Sequence, residues 1–177
     1  MASYYYLLSS LPMLKADMSP PLTYADFLGR CRSAVSAAKY SVLENLTLSS
    51  GKGPLLSEWS EFYTVFEREL IRYRNQRSGK QVQNAGERDE SVFKMISAAV
   101  VGGKNPLEAE KALLALEFEK LNELIGTHYF DDHALMGYAL KLKLLERKNV
   151  FDQKKGKAEL GRILHGLQQQ ILIGERE

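Results

Sequence analysis

The feature that most constrains the fold is the stretch 105–149, in which two long helical patterns follow one another across a short turn. Asn105 is placed to cap the first helix, with Pro106 at the first helical position and Glu108 three residues after the cap, an order typical of a helix start. Apolar residues then recur at helical spacing, at Leu107, Leu114, Phe118, Leu121 and Ile125. This wide apolar arc predicts a helix that is mostly buried.

The second helix of this stretch has its own start signal and apolar row. Gly126 is placed to end the first helix, and Asp131 or Asp132 can cap the second. Its apolar positions are Leu135, Tyr138, Ala139, Leu142 and Leu145. Because the link between the two helices is short, we expect them to pack as antiparallel neighbours at the centre of the fold.

Helical periodicity also dominates the rest of the chain. We predict further helices at 23–38, 40–48, 57–77, 89–100 and from 157 onward. Residues 4–8 favour a helix over a short strand, and the polar segment 78–88 is predicted to be a mobile linker. A chain of 177 residues suits one domain with a sizeable core. We therefore predict an all-α, single-domain antiparallel helical bundle of about five to seven helices over residues 1–177.

Charge and cysteine content exclude several classes of protein. The 24 basic and 22 acidic residues leave no overall bias toward a polyanionic partner. A single cysteine, Cys31, excludes an internal disulfide and fits a reducing compartment. No uncharged apolar run is long enough to cross a bilayer, and the first twenty residues lack the basic start of a signal peptide. These features predict a cytoplasmic protein.

The sequence THYFDDH is the one place where metal-ligating residue types gather, at His128, Asp131, Asp132 and His133. The histidines are five residues apart and no Glu-x-x-His pair accompanies them, so we interpret the segment as a capped turn. The Gly-Lys pairs lack the spacing of a phosphate-binding loop, and no serine or cysteine lies in a nucleophile motif. We predict a protein that is not an enzyme and that uses no metal or cofactor.

The run ERELIRYRNQRSGK concentrates positive charge on one helix and its exit, at Arg68, Arg72, Arg74, Arg77 and Lys80. Two interpretations remain open at this point. The arginine-rich helix 68–80 could bind nucleic acid or an acidic protein, or it could be a solvated face that offsets the helix dipole.

Four segments resemble a known group: YYYLLSSLPML with PLTYADFL, FYTVFERELIRYRNQR, PLEAEKALLALEFEKLNEL, and HYFDDHALMGYALKLKLLERKNVFDQKKG. They are similar to a bacterial family of uncharacterised domains encoded beside V-type ATP synthase genes, which itself looks like a reduced relative of the C subunit of V/A-type ATPases, known as the d subunit in eukaryotes. The resemblance implies a fold like one helical domain of that C subunit. It also implies a non-catalytic role that couples the central stalk to the membrane rotor ring of a proton- or sodium-translocating complex.

The resemblance carries expectations for partners and for particular residues. The implied partners are the central stalk subunits and the rotor ring, with no nucleic acid and no direct membrane insertion. Cytoplasmic localisation, peripheral to the inner membrane, follows from that assembly. Glu67, Arg74, Asn75 and Glu110 match the family pattern and are expected to form a buried polar network. Because Arg74 continues the apolar row of its helix, we predict that it pairs with Glu110 inside the core.

Overall fold

A computed structural model describes residues 4–79, 87–101, 105–149 and 159–165 of the chain. Seven helices lie in the first three ranges: α1 (Tyr5–Ser10), α2 (Tyr24–Cys31), α3 (Ala37–Glu44), α4 (Pro54–Arg77), α5 (Glu90–Val101), α6 (Pro106–Ile125) and α7 (Asp132–Asn149). An eighth, α8, covers residues 159–165. All regular elements among the described residues are helices, so the predicted all-α class is confirmed.

The helix starts follow the capping chemistry of the sequence. Thr23 and Asp26 form a reciprocal capping box at α2, and Asn105 accepts from the amide of Glu108 at 2.9 Å at α6. Asp89 accepts from the amide of Val92 at 3.0 Å and so begins α5. Gly126 ends α6 with a φ of 53°, a conformation that glycine adopts without steric cost.

Three predicted helices have bounds that differ from the prediction. The helix expected at 23–38 ends at Cys31, because the chain turns after that residue and Ser36, in an extended conformation, begins a new helix. The helix expected at 40–48 is α3, and it starts earlier because the Ser36 side chain accepts from the amide of Lys39. The helix expected from residue 57 begins at Pro54, because proline at the first position of a helix loses no hydrogen bond. The alternative left open at residues 4–8 resolves as helix α1.

Helices α6 and α7 form the antiparallel pair that the sequence predicts. Three contacts join them in opposite chain directions: Ile125 with Gly137, Asn122 with Lys141, and Glu117 with Arg147. α4 packs against both of these helices and also against α5. The centre of the fold is therefore built by α4, α6 and α7, and α7 contributes many of its fully buried leucines.

The core comprises two apolar clusters. The larger is centred on α7 and takes in the buried faces of α2, α3 and the first half of α4, including Phe27, Leu43 and Trp59. The smaller joins the second half of α4 to α5 and α6 through Phe66, Ile96 and Leu113. The clusters lie at successive positions along α4, so α4 connects the N-terminal helices with α5 and the start of α6.

Residues 4–24 run alongside α7. Four polar contacts fasten them there: the amide of Tyr4 to the carbonyl of Phe130 at 2.7 Å, Tyr138 to the carbonyl of Pro12 at 3.0 Å, Lys148 to the carbonyl of Ala16 at 2.9 Å, and the amide of Tyr24 to Glu146 at 2.6 Å. We call residues 4–24 the N-terminal strap. All four contacts join positions more than 120 residues apart, so they are tertiary contacts.

Some predictions fall outside the described residues. Most of the linker predicted at 78–88, residues 80–86, lies outside the described residues. The last predicted helix is described only at 159–165. The single-domain organisation remains a prediction. Within the described ranges, we find no helix with the length and apolar character that a membrane span needs.

Candidate functional site

Arg74 and Glu110 meet, but at the surface rather than in the core. Arg74 donates from Nη2 to Oε1 of Glu110 at 2.7 Å, and the two side chains are 57% and 46% exposed. The predicted burial of this pair is therefore wrong. The physical reason is that the first turns of α6 project beyond the packed part of the bundle, where even Leu107 is half exposed.

The other two residues of the predicted network are also not buried. Glu67 is exposed, and it lines a cavity of about 170 Å³ together with Arg74 and Glu110. Asn75 is half-buried, and its backbone carbonyl accepts from the amide of Ser78 at 3.1 Å. Glu67, Arg74 and Glu110 therefore lie together at the outer edge of a polar region between α4 and α6, and Asn75 is not among the residues that line this cavity.

The buried centre of that polar region is a different ion pair, Glu117 with Arg147. Arg147 donates to Oε2 of Glu117 at 2.5 Å and to the hydroxyl of Tyr63 at 3.0 Å, so it joins α7 to both α6 and α4. The Glu117 side chain is 1% exposed and that of Arg147 is 39% exposed. Glu117 and Arg147 therefore form the ion pair with a buried member that was predicted from the sequence for Arg74 and Glu110.

Burial affects the two members of this pair differently. Desolvation raises the pKa of Glu117, and the attraction of Arg147 only partly opposes it. Burial tends to lower the pKa of Arg147, but the charge and hydrogen bond of Glu117 outweigh it and the net pKa is raised. Oε1 of Glu117 is buried and has no hydrogen-bond partner among the described residues, which makes it the oxygen that a proton would occupy.

A second buried carboxylate, Glu69, lies on α4 and pairs with two arginines of the arginine-rich run. Arg68 and Arg72 contact its two oxygens at 3.2 Å and 3.4 Å, and the amide of Asp89 donates to it at 3.3 Å. Glu69 is fully buried, and its hydrogen bond from Asp89 joins the start of α5 to the second half of α4. Of the remaining predicted partner-binding residues, Arg77 is exposed and Lys80 lies outside the described residues.

The two buried acids were not predicted, although the sequence carries a signal for them. Glu117 lies three residues after Leu114 and four before Leu121, which places it within the apolar row of α6. Glu69 has the same relation to Phe66 and Tyr73 on α4. A single charge inside an apolar row at these spacings lies on the inward face of its helix, where it needs a partner if neighbouring helices cover it.

Four exposed aromatic side chains lie together where α1 meets the turn between α6 and α7. Tyr5 contacts Tyr6 in an edge-on arrangement at 5.5 Å and Phe130 at 4.7 Å between ring centroids, and Phe130 contacts Tyr129 at 6.4 Å. Tyr6 is 88% exposed and Tyr129 is 69% exposed. We call these four residues the aromatic patch. Aromatic side chains dominate the energetics of protein interfaces, so this is the candidate partner-binding surface.

Polar contacts of two aspartates hold the end of the turn that carries Tyr129 and Phe130. Asp131, and not Asp132, caps α7: its Oδ1 accepts from the amides of His133 at 3.0 Å and Ala134 at 3.1 Å. Asp132 is thereby left to bind the Tyr4 hydroxyl at 3.0 Å and Lys39 at 3.1 Å. These contacts connect the turn to α1 and α3 and so fix the orientation of the patch.

Part of this geometry lies in a segment that is similar to a known family. Residues 84–171 match the model of a family described as "Protein of unknown function (DUF2764)". The DUF2764 match covers α5, α6, α7 and α8, and with them Glu110, Glu117, Arg147 and one half of the aromatic patch. The match does not reach α1–α4. Of these helices, α4 supplies Tyr63 and α1 supplies the other half of the aromatic patch, Tyr5 and Tyr6. No curated protein and no solved structure matches the chain.

Proposed function

We propose that this protein is a non-catalytic component of a V-type ATPase or ATP synthase, similar to the C subunit of V/A-type ATPases, and that it acts between the central stalk and the membrane rotor ring. The resemblance of its helical segments to the domains encoded with V-type ATP synthase genes supports the choice of complex. The proposed location is the cytoplasmic side of the inner membrane, reached through the complex and not by insertion.

The structural observation that carries the proposal is the exposed aromatic patch. Tyr and Trp side chains are frequent interface hot spots because they bury a large, rigid surface at a small cost in side-chain entropy. Half of the patch lies on α1 and half on the turn before α7. Asp132, at the start of α7, contacts Tyr4 and Lys39, so polar contacts beside the patch are in place before a partner binds. We propose that the patch contacts a soluble protein of the stalk.

The charge distribution favours this function over a nucleic-acid binding module. Arg68, Arg72 and Arg74 each face a carboxylate at 3.4 Å or less, and those contacts reduce the positive charge available to phosphates. Nucleic-acid binding depends on cations that can displace the counterions of the phosphate backbone. The arginine-rich segment 68–80, of which 68–77 lies on α4, is therefore the weaker candidate surface.

The experiment is reconstitution with purified V-type central stalk subunits and rotor ring, followed by biolayer interferometry. The wild-type protein should bind one of these components, and the double variant Tyr6→Ser/Tyr129→Ser should weaken that binding by about tenfold or more, since loss of a hot spot costs about 2 kcal/mol. The matched control is Ile71→Ser/Val101→Ser, which removes two exposed apolar side chains outside the patch.

Two results would overturn the proposal. One is the absence of binding to every component of the stalk and ring. The other is binding of the isolated protein to DNA or RNA with a steep salt dependence, lost on substituting Arg77, which would support the arginine-rich helix instead.

A further inference from the structure

The turn between α6 and α7 brings two histidines and an aspartate into one cluster. One ligand atom each from His128, Asp131 and His133 lies within 4.8 Å of the other two. The imidazole rings stack with centroids 4.3 Å apart and planes 12° apart, and Nδ1 of His128 contacts Oδ2 of Asp131. Two imidazole nitrogens and one carboxylate oxygen are thus presented on the same side of a short segment.

The aspartate of this cluster is already oriented for a ligand. Its Oδ1 is held by the two amides at the start of α7, which leaves Oδ2 directed toward His128. Hydrogen bonds of this type fix the orientation of metal-binding carboxylates in known sites.

The cluster opens into a cavity of about 260 Å³ between α7, α3 and the start of α4. His128 is 43% exposed and Asp131 is 22% exposed, so an ion can reach them while keeping water on its open positions. Two lysines also line the cavity, but Lys39 is paired with Asp132 at 3.1 Å and its charge is largely compensated. The site therefore has both an entry path and an accessible carboxylate oxygen.

We propose that His128, Asp131 and His133 bind a divalent transition-metal ion of the zinc class. Imidazole nitrogens favour Zn²⁺, Ni²⁺ and Cu²⁺, whereas Mg²⁺ and Ca²⁺ select sites made of oxygen atoms. Binding replaces the contact between His128 and Asp131 with two metal bonds of about 2.0–2.2 Å, and a rotation of the imidazole rings directs their lone pairs to the ion. The metal would fix the turn that carries Tyr129 and Phe130. This metal site is independent of the proposed function.

The sequence favoured a capped turn over a metal site, and the structure shows how one aspartate can serve both. The two roles use different oxygens of Asp131: Oδ1 caps the helix and Oδ2 faces His128. The spacing of the two histidines, which does not fit a helical metal motif, is accommodated because His128 precedes the helix and His133 lies inside it.

The test is isothermal titration of the untagged, metal-free protein with Zn²⁺, with Mg²⁺ as the negative probe. We expect saturable binding of one Zn²⁺ per chain in the micromolar range, a raised melting temperature with Zn²⁺, and weaker binding as the pH falls and protons compete for the imidazoles. His128→Ala and His133→Ala should each weaken binding by about tenfold or more. His165→Ala, the remaining histidine of the chain, is the matched control and should bind as the wild type does.

The variant Asp131→Asn tests the role of Asp131 in metal binding while keeping its role as the helix cap. Asparagine caps helices as well as aspartate does, so this variant should keep its helical circular dichroism and yet bind Zn²⁺ about tenfold more weakly. Non-saturating Zn²⁺ binding, equal losses in His165→Ala and His128→Ala, or unchanged affinity in all three cluster variants would overturn the proposal.

Discussion

Replacing Arg147 with methionine tests whether Glu117 is the buried charge on which the packing of α4, α6 and α7 depends. Methionine keeps most of the length of the side chain but removes the guanidinium from Oε2 of Glu117 and from the hydroxyl of Tyr63. Removing one partner of a fully buried ion pair costs about 3–5 kcal/mol. Because the Arg147 side chain is 39% exposed, water can partly replace it, so we expect about 2–3 kcal/mol at neutral pH.

The matched control is Arg74→Met. It breaks an ion pair of similar distance, 2.7 Å, whose members are both about half exposed, so it should cost less than about 1 kcal/mol. The two variants therefore compare the ion pair predicted from the sequence with the one that the structure places in the core.

The assay is urea unfolding followed by circular dichroism, with the free energy of unfolding extrapolated to zero denaturant. A double-mutant cycle of Arg147→Met with Glu117→Gln should show coupling of about 2 kcal/mol, since the second change removes the stranded charge. The cost of Arg147→Met should also shrink at low pH, because Glu117 can then take up a proton. Equal costs for the Arg147 and Arg74 variants, or additive effects in the cycle, would refute this reasoning.

Three further predictions follow from burial and packing. Burial raises the pKa of Glu117, so its contribution to stability is complete below about pH 4.5 and is lost as the pH rises through the folded-state pKa. Urea unfolding at pH 4 and at pH 8 should show this loss in the wild type and not in Glu117→Gln. Cys31 is fully buried with its pKa raised to about 11, so a thiol reagent such as DTNB should react with it only after unfolding, and fast labelling of the native protein would contradict its burial. Gly137→Ala and Gly29→Ala should change the melting temperature in opposite directions. A Cβ at Gly137 would come within 2.5 Å of the Ile125 side chain, whereas at Gly29 it meets nothing within 4 Å and should stabilise the helix by about 1 kcal/mol; a gain at both positions would show that Ile125 moves aside freely.

The sequence predicts the helical fold well because its helices start with local signals. The caps at Thr23, Asp89 and Asn105 each depend on residues within one turn, so the interactions that begin a helix are readable without tertiary structure. The class of the fold and the antiparallel pairing of α6 with α7 follow from these starts and from apolar spacing.

Burial of charge is harder to read from the sequence, because it depends on how far neighbouring helices extend. Arg74 and Glu117 both lie on the apolar side of their helices, but only Glu117 lies at the level where α4, α6 and α7 all meet. Helical periodicity indicates which side of its helix a residue lies on. It does not indicate whether neighbouring helices cover that position along the helix axis. For the same reason the aromatic patch could not be predicted, since it joins residues 5 and 130 through contacts between distant parts of the chain.

The N-terminal strap has a consequence for the order in which the molecule can assemble. A ribosome releases residues 4–24 early, but each of the four contacts that hold them alongside α7 needs a partner between residues 130 and 148. During synthesis the strap therefore has nowhere to dock along α7 until nearly the whole bundle has emerged. Closing so long a loop is slow, so we expect the docking of the strap to complete the fold. Half of the aromatic patch lies on that strap, so a partner that recognises the complete patch distinguishes finished molecules from partly folded ones.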